Sequence, residues 1–526
     1  NVKLTGKLDT YTLTYASTGL TSAVQNITNA PGAATKITIT GSSSAANDQA
    51  LAVQPVVTVR DASDNVVTGS TASITLTATG ATIGGTVTMN AVSGVADFNG
   101  SGVKLTGLIG AKTITATSTP GGFTSNLSVN LTFGTAVKLG ATISSSTIYS
   151  SRVTSQPSVK VLDVSGNTVT TATDTISASV SSTNAADVVL SGAPTGAAVA
   201  GVRTYTAFKM SGVVGTYVVT YQAAGLTSAD QTITLSFGDV HHLGITTQAV
   251  GTKNNQTFPT QPVVKFYDID GNVQQSTGLT VTATLSTGQG GGAAILAGAS
   301  TSLDSMSGVV TYSSLKILGT ADTYTITYSS PGVAAASQTI TNSYGIAHHL
   351  AVATQPSTTL VNRANFSIQP AVEILDVSGN RVLDSSAQVT ASLNGATLTG
   401  TKTISAVNGL ADWANAATAL GVYGAVGAYQ THFDATGLIS DLASFTLTHG
   451  AAYQIAMSSP ATLVNDTAFT TQPVVTVQDQ DGNTVTTGSD SQAIVTLSST
   501  DATIGGTTTM TATAGVANFA NKGVKL

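Results

Sequence analysis

Five segments of this 526-residue chain carry acidic and amide side chains at one fixed spacing. They are Asp61-Ala62-Ser63-Asp64-Asn65, Asp163 to Asn167, Asp268-Ile269-Asp270-Gly271-Asn272, Asp376 to Asn380 and Asp479-Gln480-Asp481-Gly482-Asn483. In the third and fifth, oxygens at alternate positions imitate the start of a calcium loop. Such a loop needs six or more oxygens, including a late bidentate carboxylate, and no acid follows at the required distance. A hairpin turn accounts for all five, because Gly, or Asp64 in its place, tolerates the left-handed backbone that the turn requires. The sequence therefore predicts turns and no cofactor, with calcium as the alternative at the two doubly acidic segments.

Other groups that could do chemistry are incomplete in the same way. His241-His242 and His348-His349 are adjacent on predicted strands, where neighbouring side chains face opposite sides, so neither pair is expected to chelate one ion. Lys3, Lys104, Lys209, Lys316 and Lys525 recur between apolar residues, with Ala419 in one repeat. Alternation points them outward as edge protection rather than toward a buried crosslink to Asn. Gly288-Gln289-Gly290-Gly291-Gly292 lacks the Lys and helix of a phosphate cradle. No nucleophile elbow and no zinc-protease helix motif is found, and the acids sit mainly on the repeating turns. No enzyme is expected, and no metal site.

The elements that position these residues are strands. Glu373 is the only Glu among the 25 acids, and β-branched residues alternate with small or polar ones, as in Thr323-Tyr324-Thr325-Ile326-Thr327-Tyr328. The chain reads as all-β. Charged residues are 8% of it against a usual ~25%, and the formal net charge is −6. Nineteen scattered Lys and Arg exclude a nucleic-acid partner, and no apolar run approaches the ~20 residues of a membrane helix. Cysteine is absent, so neither disulfides nor thiolate chemistry operate.

Three markers recur in order. A Gln-Pro pair precedes each Asp-x-x-Gly-Asn segment, with prolines at 55, 157, 262, 370 and 473. Gly-(Val/Leu)-x-x-aromatic places Phe98, Tyr205, Tyr312, Trp413 and Phe519 one period apart as the predicted core anchors. Tyr-x-apolar-Thr-aromatic begins at Tyr11, Tyr217, Tyr324 and, less closely, Tyr429. Ordered repetition at about 104 residues implies tandem domains. The boundaries fall at small joints, giving 1–31, 32–133, 134–237, 238–344, 345–449 and 450–526. Taking 32–133 as template, seven or eight strands are expected, including 65–67, 86–90 and one continuous strand over 95–105.

At these motifs the sequence resembles the bacterial immunoglobulin-like repeats of large surface proteins, such as adhesins, S-layer proteins and exported fibres. The resemblance implies tandem β-sandwiches, arranged as an extended rod outside the cell, and a corner role for Tyr11, Tyr217, Tyr324 and Tyr429. Lys112 replaces that tyrosine in one repeat, and the buried Cys pair known in the family is missing throughout.

The expected function is structural: a repeat region of an extracellular filament, sheath or stalk that associates with itself head to tail. Residues 1–31 carry the last two strands of a repeat, with Tyr11, Leu13, Tyr15, Val24 and Ile27 as their strand residues, and 450–526 carry everything before those strands. Either the continuing polypeptide or a neighbouring chain completes the split domain; the continuation is favoured because two strands exceed what strand donation usually supplies. The alternative is an adhesin that binds a glycan or matrix protein through divergent loops, at 184–200, 288–302 or 414–427. Asn26, Asn99, Asn126, Asn130, Asn255, Asn365 and Asn465 are sequons for N-glycosylation.

Overall fold

A computed structural model describes residues 2–142, 147–149, 152–153, 156–182, 184–251, 253–458 and 464–526. They form an all-β chain of tandem immunoglobulin-like sandwiches. Helical turns among the described residues are three short 3-10 pieces, Ala185–Asp187, Trp413–Asn415 and Ser489–Gln492. None is long or apolar enough to cross a membrane.

The chain divides into two compact units: residues 1–241 with 267–274, and 242–266 with 275–526. In the first unit, residues 32–133 show the sandwich plan. One sheet orders Ala34–Thr40, Val56–Asp61 and Val95–Asp97. The facing sheet orders Ser44–Ala46, Thr124–Thr132, Gly110–Thr119, Ser73–Thr79 and Thr88–Asn90. Lys104–Thr106 pairs with Thr82–Gly84 as a small side sheet. All pairings are antiparallel except that of Thr124–Thr132 with Ser44–Ala46.

Period-two patterning explains the core. Ile74 and Leu76, Ile114 and Ala116, and Val57 and Val59 point inward from their strands, and Phe98 fills the centre. The sandwich over 134–237 repeats the plan around Val159, Tyr205, Phe208 and Tyr221. In the second unit the sandwich over 345–449 packs around Trp413, Phe366, Phe433 and Phe445. Its neighbour buries Phe266, Tyr312, Tyr324 and Tyr328.

Three strand expectations need correction. Residues 65–67 make only a single bridge, Arg60 to Val66, because the turn occupies that segment. The strand expected over 95–105 is two strands in different sheets, broken where Gly100 and Gly102 take φ of 76° and 65°, which suit glycine. The strand expected over 86–90 begins at Thr88. The short strands Ser44–Ala46 and Thr82–Gly84 were not legible in the sequence, since three residues are too few to show a period.

Candidate functional site: the joint between sandwiches

The five Asp-x-x-Gly-Asn hairpins are turns with a second task. Gly166, Gly271, Gly379 and Gly482 have φ of 84° to 87°, and Asp64 has 74°. A Cβ would meet nothing at any of the four glycines, so the backbone angle alone selects the residue. The flanking Asp and Asn turn inward. Asp163 is fully buried, and its Oδ1 accepts the backbone N–H groups of Ser165 and Asn167, closing the turn. Its Oδ2 accepts from the N–H of Gly134 at 2.9 Å, the Asn167 amide at 2.8 Å and the Asn47 amide at 2.9 Å. Asn47 belongs to the preceding sandwich.

Asn167 completes the lock from the other side. Its Nδ2 donates to the Gly107 carbonyl at 2.9 Å and its Oδ1 accepts from the Ile109 N–H at 3.0 Å. Asn47 Oδ1 in turn accepts from the Gly107 N–H. Two side-chain amides and one carboxylate thus satisfy backbone groups of both sandwiches.

The arrangement recurs within each unit. Asn380 bonds Gly319 and Ala321 while Asn254 donates to Asp376 Oδ2. Asn483 bonds Gly424 and Val426 while Asn362 donates to Asp479 Oδ2. Asn65 bonds Gly6 and Leu8, and Asn272 bonds Gly212 and Val214. Those last bonds explain why hairpin residues 267–274 group with the first unit.

A buried carboxylate without a cation is normally costly. Here N–H donors stabilise the charge. The Asn65 amide and the Gly32 N–H hold Asp61 down at about 2. Burial pushes Asp479 upward, but the Gly450 N–H and the amides of Asn483 and Asn362 outweigh it and leave the group at about 2. Asp163, Asp268 and Asp376 are likewise lowered by donors that overcome burial. The Asp268 and Asp479 oxygens face N–H groups, and among the described residues no three His, Asp or Glu side chains gather around a possible ion site.

The other predicted residues are placed as follows. Phe98, Tyr205, Tyr312, Trp413 and Phe519 are all buried. Each follows its short strand rather than lying on it, and Trp413 opens a 3-10 turn and donates Nε1–H to the Thr401 carbonyl at 2.8 Å. Tyr11, Tyr217, Tyr324 and Tyr429 donate their hydroxyls to the carbonyls of Lys7, Val213, Thr320 and Ala425, each four residues back. This is the hydrogen bond of a tyrosine corner. Among the sequon residues, Asn26, Asn99, Asn126, Asn130, Asn365 and Asn465 are exposed, whereas Asn255 is half-buried and accepts from Lys316 Nζ at 2.8 Å.

Four expectations change. The His348 and His349 rings are not on opposite sides: their Nδ1 atoms are 3.3 Å apart, because the strand His349–Thr354 starts only at the second histidine. Two of the recurrent lysines, expected only to point outward, are ion-paired, and Lys316 donates to the Asn255 amide oxygen. Lys104 Nζ is 2.7 Å from Asp48 and Lys525 Nζ 2.5 Å from Asp466. Lys104 and Asp48 are 39% and 38% exposed, so this lysine is not buried beside an acid as a crosslink to Asn would require. In the sandwich 345–449 the lysine position is held by Gly421 rather than the expected Ala419, because Leu420 bonds Gln369 as Val103 bonds Gln54; there Arg363 takes the Asp48 position and reaches Asp481 across the joint at 2.6 Å. The Gly288–Gly292 loop does cradle an anion, but the anion is its own Asp322, which accepts from the Gly290 and Gly292 N–H groups. The divergent segments expected to present binding loops are in part built into side sheets. Val188–Ser191 pairs with Lys209–Gly212, Ala294–Ala297 with Lys316–Gly319, and Gly421–Tyr423 with Thr397–Thr399.

Neither a protein-family model nor a characterised protein sequence matches the chain. Solved structures do align with it. FdeC, an Escherichia coli adhesin, is 16% identical over 60% of this chain and 100% of that one, with a TM-score of 0.27. Invasin, a bacterial integrin-binding protein, is 13% identical over 93% and 98%, with a TM-score of 0.27. Domains 1–6 of surface layer protein SbsC are 16% identical over 82% and 55%, with a TM-score of 0.18. The fold of the present chain is defined by its own sheets and tyrosine corners rather than by that likeness.

Proposed function

We propose that this chain is a structural repeat region of an extracellular surface fibre, sheath or stalk. The observation that carries the reading is the Asp/Asn lock between successive sandwiches, complete at Asp163, Asp376 and Asp479, where an amide of the preceding sandwich reaches the aspartate. At each of these three the Asn of the turn also bonds the backbone of the preceding sandwich, Asn167 to Gly107 and Ile109, Asn380 to Gly319 and Ala321, and Asn483 to Gly424 and Val426. A flexible linker would let sandwiches rotate independently. A lock of buried polar groups fixes their orientation, which is what a stalk under tension requires of its joints. Small-angle scattering of residues 1–526 is expected to give an elongated distance distribution; a compact one overturns the reading.

A second reading, adhesion to a glycan or protein, draws on an open trough of about 710 Å³ on the sandwich 345–449. Tyr429, Gln430, His432 and Ser444 line it. Saturable binding on a glycan or matrix-protein array, lost in Gln430→Ala/His432→Ala, would favour adhesion over a purely structural role.

A further inference from the structure

We propose that the guanidinium of Arg203, between two edge strands of the sandwich 134–237, is an anion-binding site that takes the carboxylate of an acidic sugar. The proposal goes beyond the structural reading and does not depend on the joints.

Two positions are exchanged in this sandwich. Strand register sets Gly196 opposite Ile176 and Arg203 opposite Val159. The same two positions hold Met89 and Ala96 in 32–133, Leu303 and Val310 in 238–344, Ile404 and Ala411 in 345–449, and Met510 and Ala517 in 450–526. Elsewhere the first position is large and apolar and the second smaller; here the large member sits at the second position and carries a charge. Gly196 makes room for it. A Cβ there would lie 2.5 Å from Arg203 Cζ, and its φ is not one that requires glycine, so space alone selects the residue.

Thr195–Ala197 and Val202–Thr204 each close the edge of a different sheet, so the guanidinium lies at the side of the sandwich rather than at its centre. Its Nη2 donates to the Ala193 carbonyl at 3.2 Å, and its Cζ stands 4.8 Å from the centroid of the Tyr205 ring. The Nε–H is buried without an acceptor. Among the described residues no carboxylate pairs with this arginine.

Packing does not account for the exchange, because a charged group with an unpaired donor stabilises this place less than the methionine, leucine or isoleucine of the other sandwiches. Recognition does. A guanidinium presents its N–H groups as a planar fork that matches a carboxylate, and the Tyr205 ring fixes the plane of that fork. Exposed Thr195 and Thr204, next to Gly196 and Arg203 in the chain, add hydroxyls beside it. One carboxylate surrounded by hydroxyls is what a uronic acid residue offers to a single arginine among threonines.

The arginines of the chain are Arg60, Arg152, Arg203, Arg363 and Arg381, so arginine-specific isotopic labelling of the whole chain resolves the Arg203 Nε–H by NMR, assigned through its loss in Arg203→Met. Glucuronate, as monomer and as a short oligomer, should shift that resonance along a saturable curve, with a midpoint at least about tenfold below any response of Arg60 or Arg381. Arg363, held by Asp481 at 2.6 Å, should not move. In calorimetry with the oligomer, Arg203→Lys keeps the charge without the fork and should weaken binding about tenfold or more. Arg203→Ala/Gly196→Met rebuilds the pairing of Met89 with Ala96; it should leave the unfolding transitions in place and abolish binding, which separates recognition from packing. No response at Arg203, equal responses at all the arginines, equally tight binding of inorganic sulfate, or binding retained in the double variant would overturn the proposal. Tighter binding of an aspartate-rich peptide than of the glucuronate oligomer would overturn the sugar as ligand. The stalk reading is tested by molecular shape and stands or falls separately.

Discussion

Asn47 Nδ2 lies 2.9 Å from Asp163 Oδ2, two buried side chains 116 residues apart that belong to successive sandwiches. Their bond converts a hairpin turn into a joint. Removing either partner leaves the other buried without its complement, which costs more than the bond alone contributes.

Asn167→Ala should open that joint without unfolding the sandwiches. The Ile109 N–H and Gly107 carbonyl lose their partners. Amide exchange at Ile109 is expected to accelerate about tenfold or more, equivalent to ~1.4 kcal/mol of lost protection, with core amides such as Ile114 unaffected. Equal acceleration in the core would show that the lock stabilises the sandwich rather than the joint.

The joints should loosen in acid and not in base. Asp61 and Asp479 sit at about 2, below the ordinary value of about 3.9, so their folded forms bind protons more weakly than the unfolded chain does. Their stabilising contribution is complete above pH ~4 and disappears as pH falls through ~2. Scattering profiles should be unchanged from pH 8 to 5 and broaden toward pH 2. In Asp61→Asn/Asp479→Asn that acid transition should shrink; an unaltered transition would assign it to other carboxyls.

Each sandwich should fail by itself when its core is cut. Trp413 is the only tryptophan, and its ring lies 5.3 Å from that of Phe433. Phe433→Ala should cost about 3 to 5 kcal/mol and lower the denaturant midpoint of tryptophan fluorescence. Phe98→Ala, of similar cost in its own sandwich, should leave that midpoint in place.

Tyr324→Phe removes a 2.8 Å bond to the Thr320 carbonyl while retaining the buried ring. A loss of about 0.5 to 1.5 kcal/mol is expected in chemical denaturation. A loss near that of a core truncation would mean that the corner orders more than its own bond.

The sequence by itself determined the β class, the repeat and the inward residues, because a strand's two-residue period and a hairpin's demand for positive φ are local. Gly166 and Gly271 announce their turns, and Phe98 and Tyr205 announce a core, whatever surrounds them. It also placed Tyr217 and Tyr324 at a corner, since their carbonyl partners are only four residues away. Only the tertiary structure decided what the turn's Asp and Asn do. Asn47 and Asn167 meet opposite ends of one joint, and nothing near either residue in the chain marks the other as a partner. The same holds for Asp322 in the Gly288–Gly292 loop and for Asp48 beside Lys104. Hydrogen bonds and ion pairs are set by distances of about 3 Å in space, and spacing along a chain fixes such distances only within a turn, a helix or a paired strand.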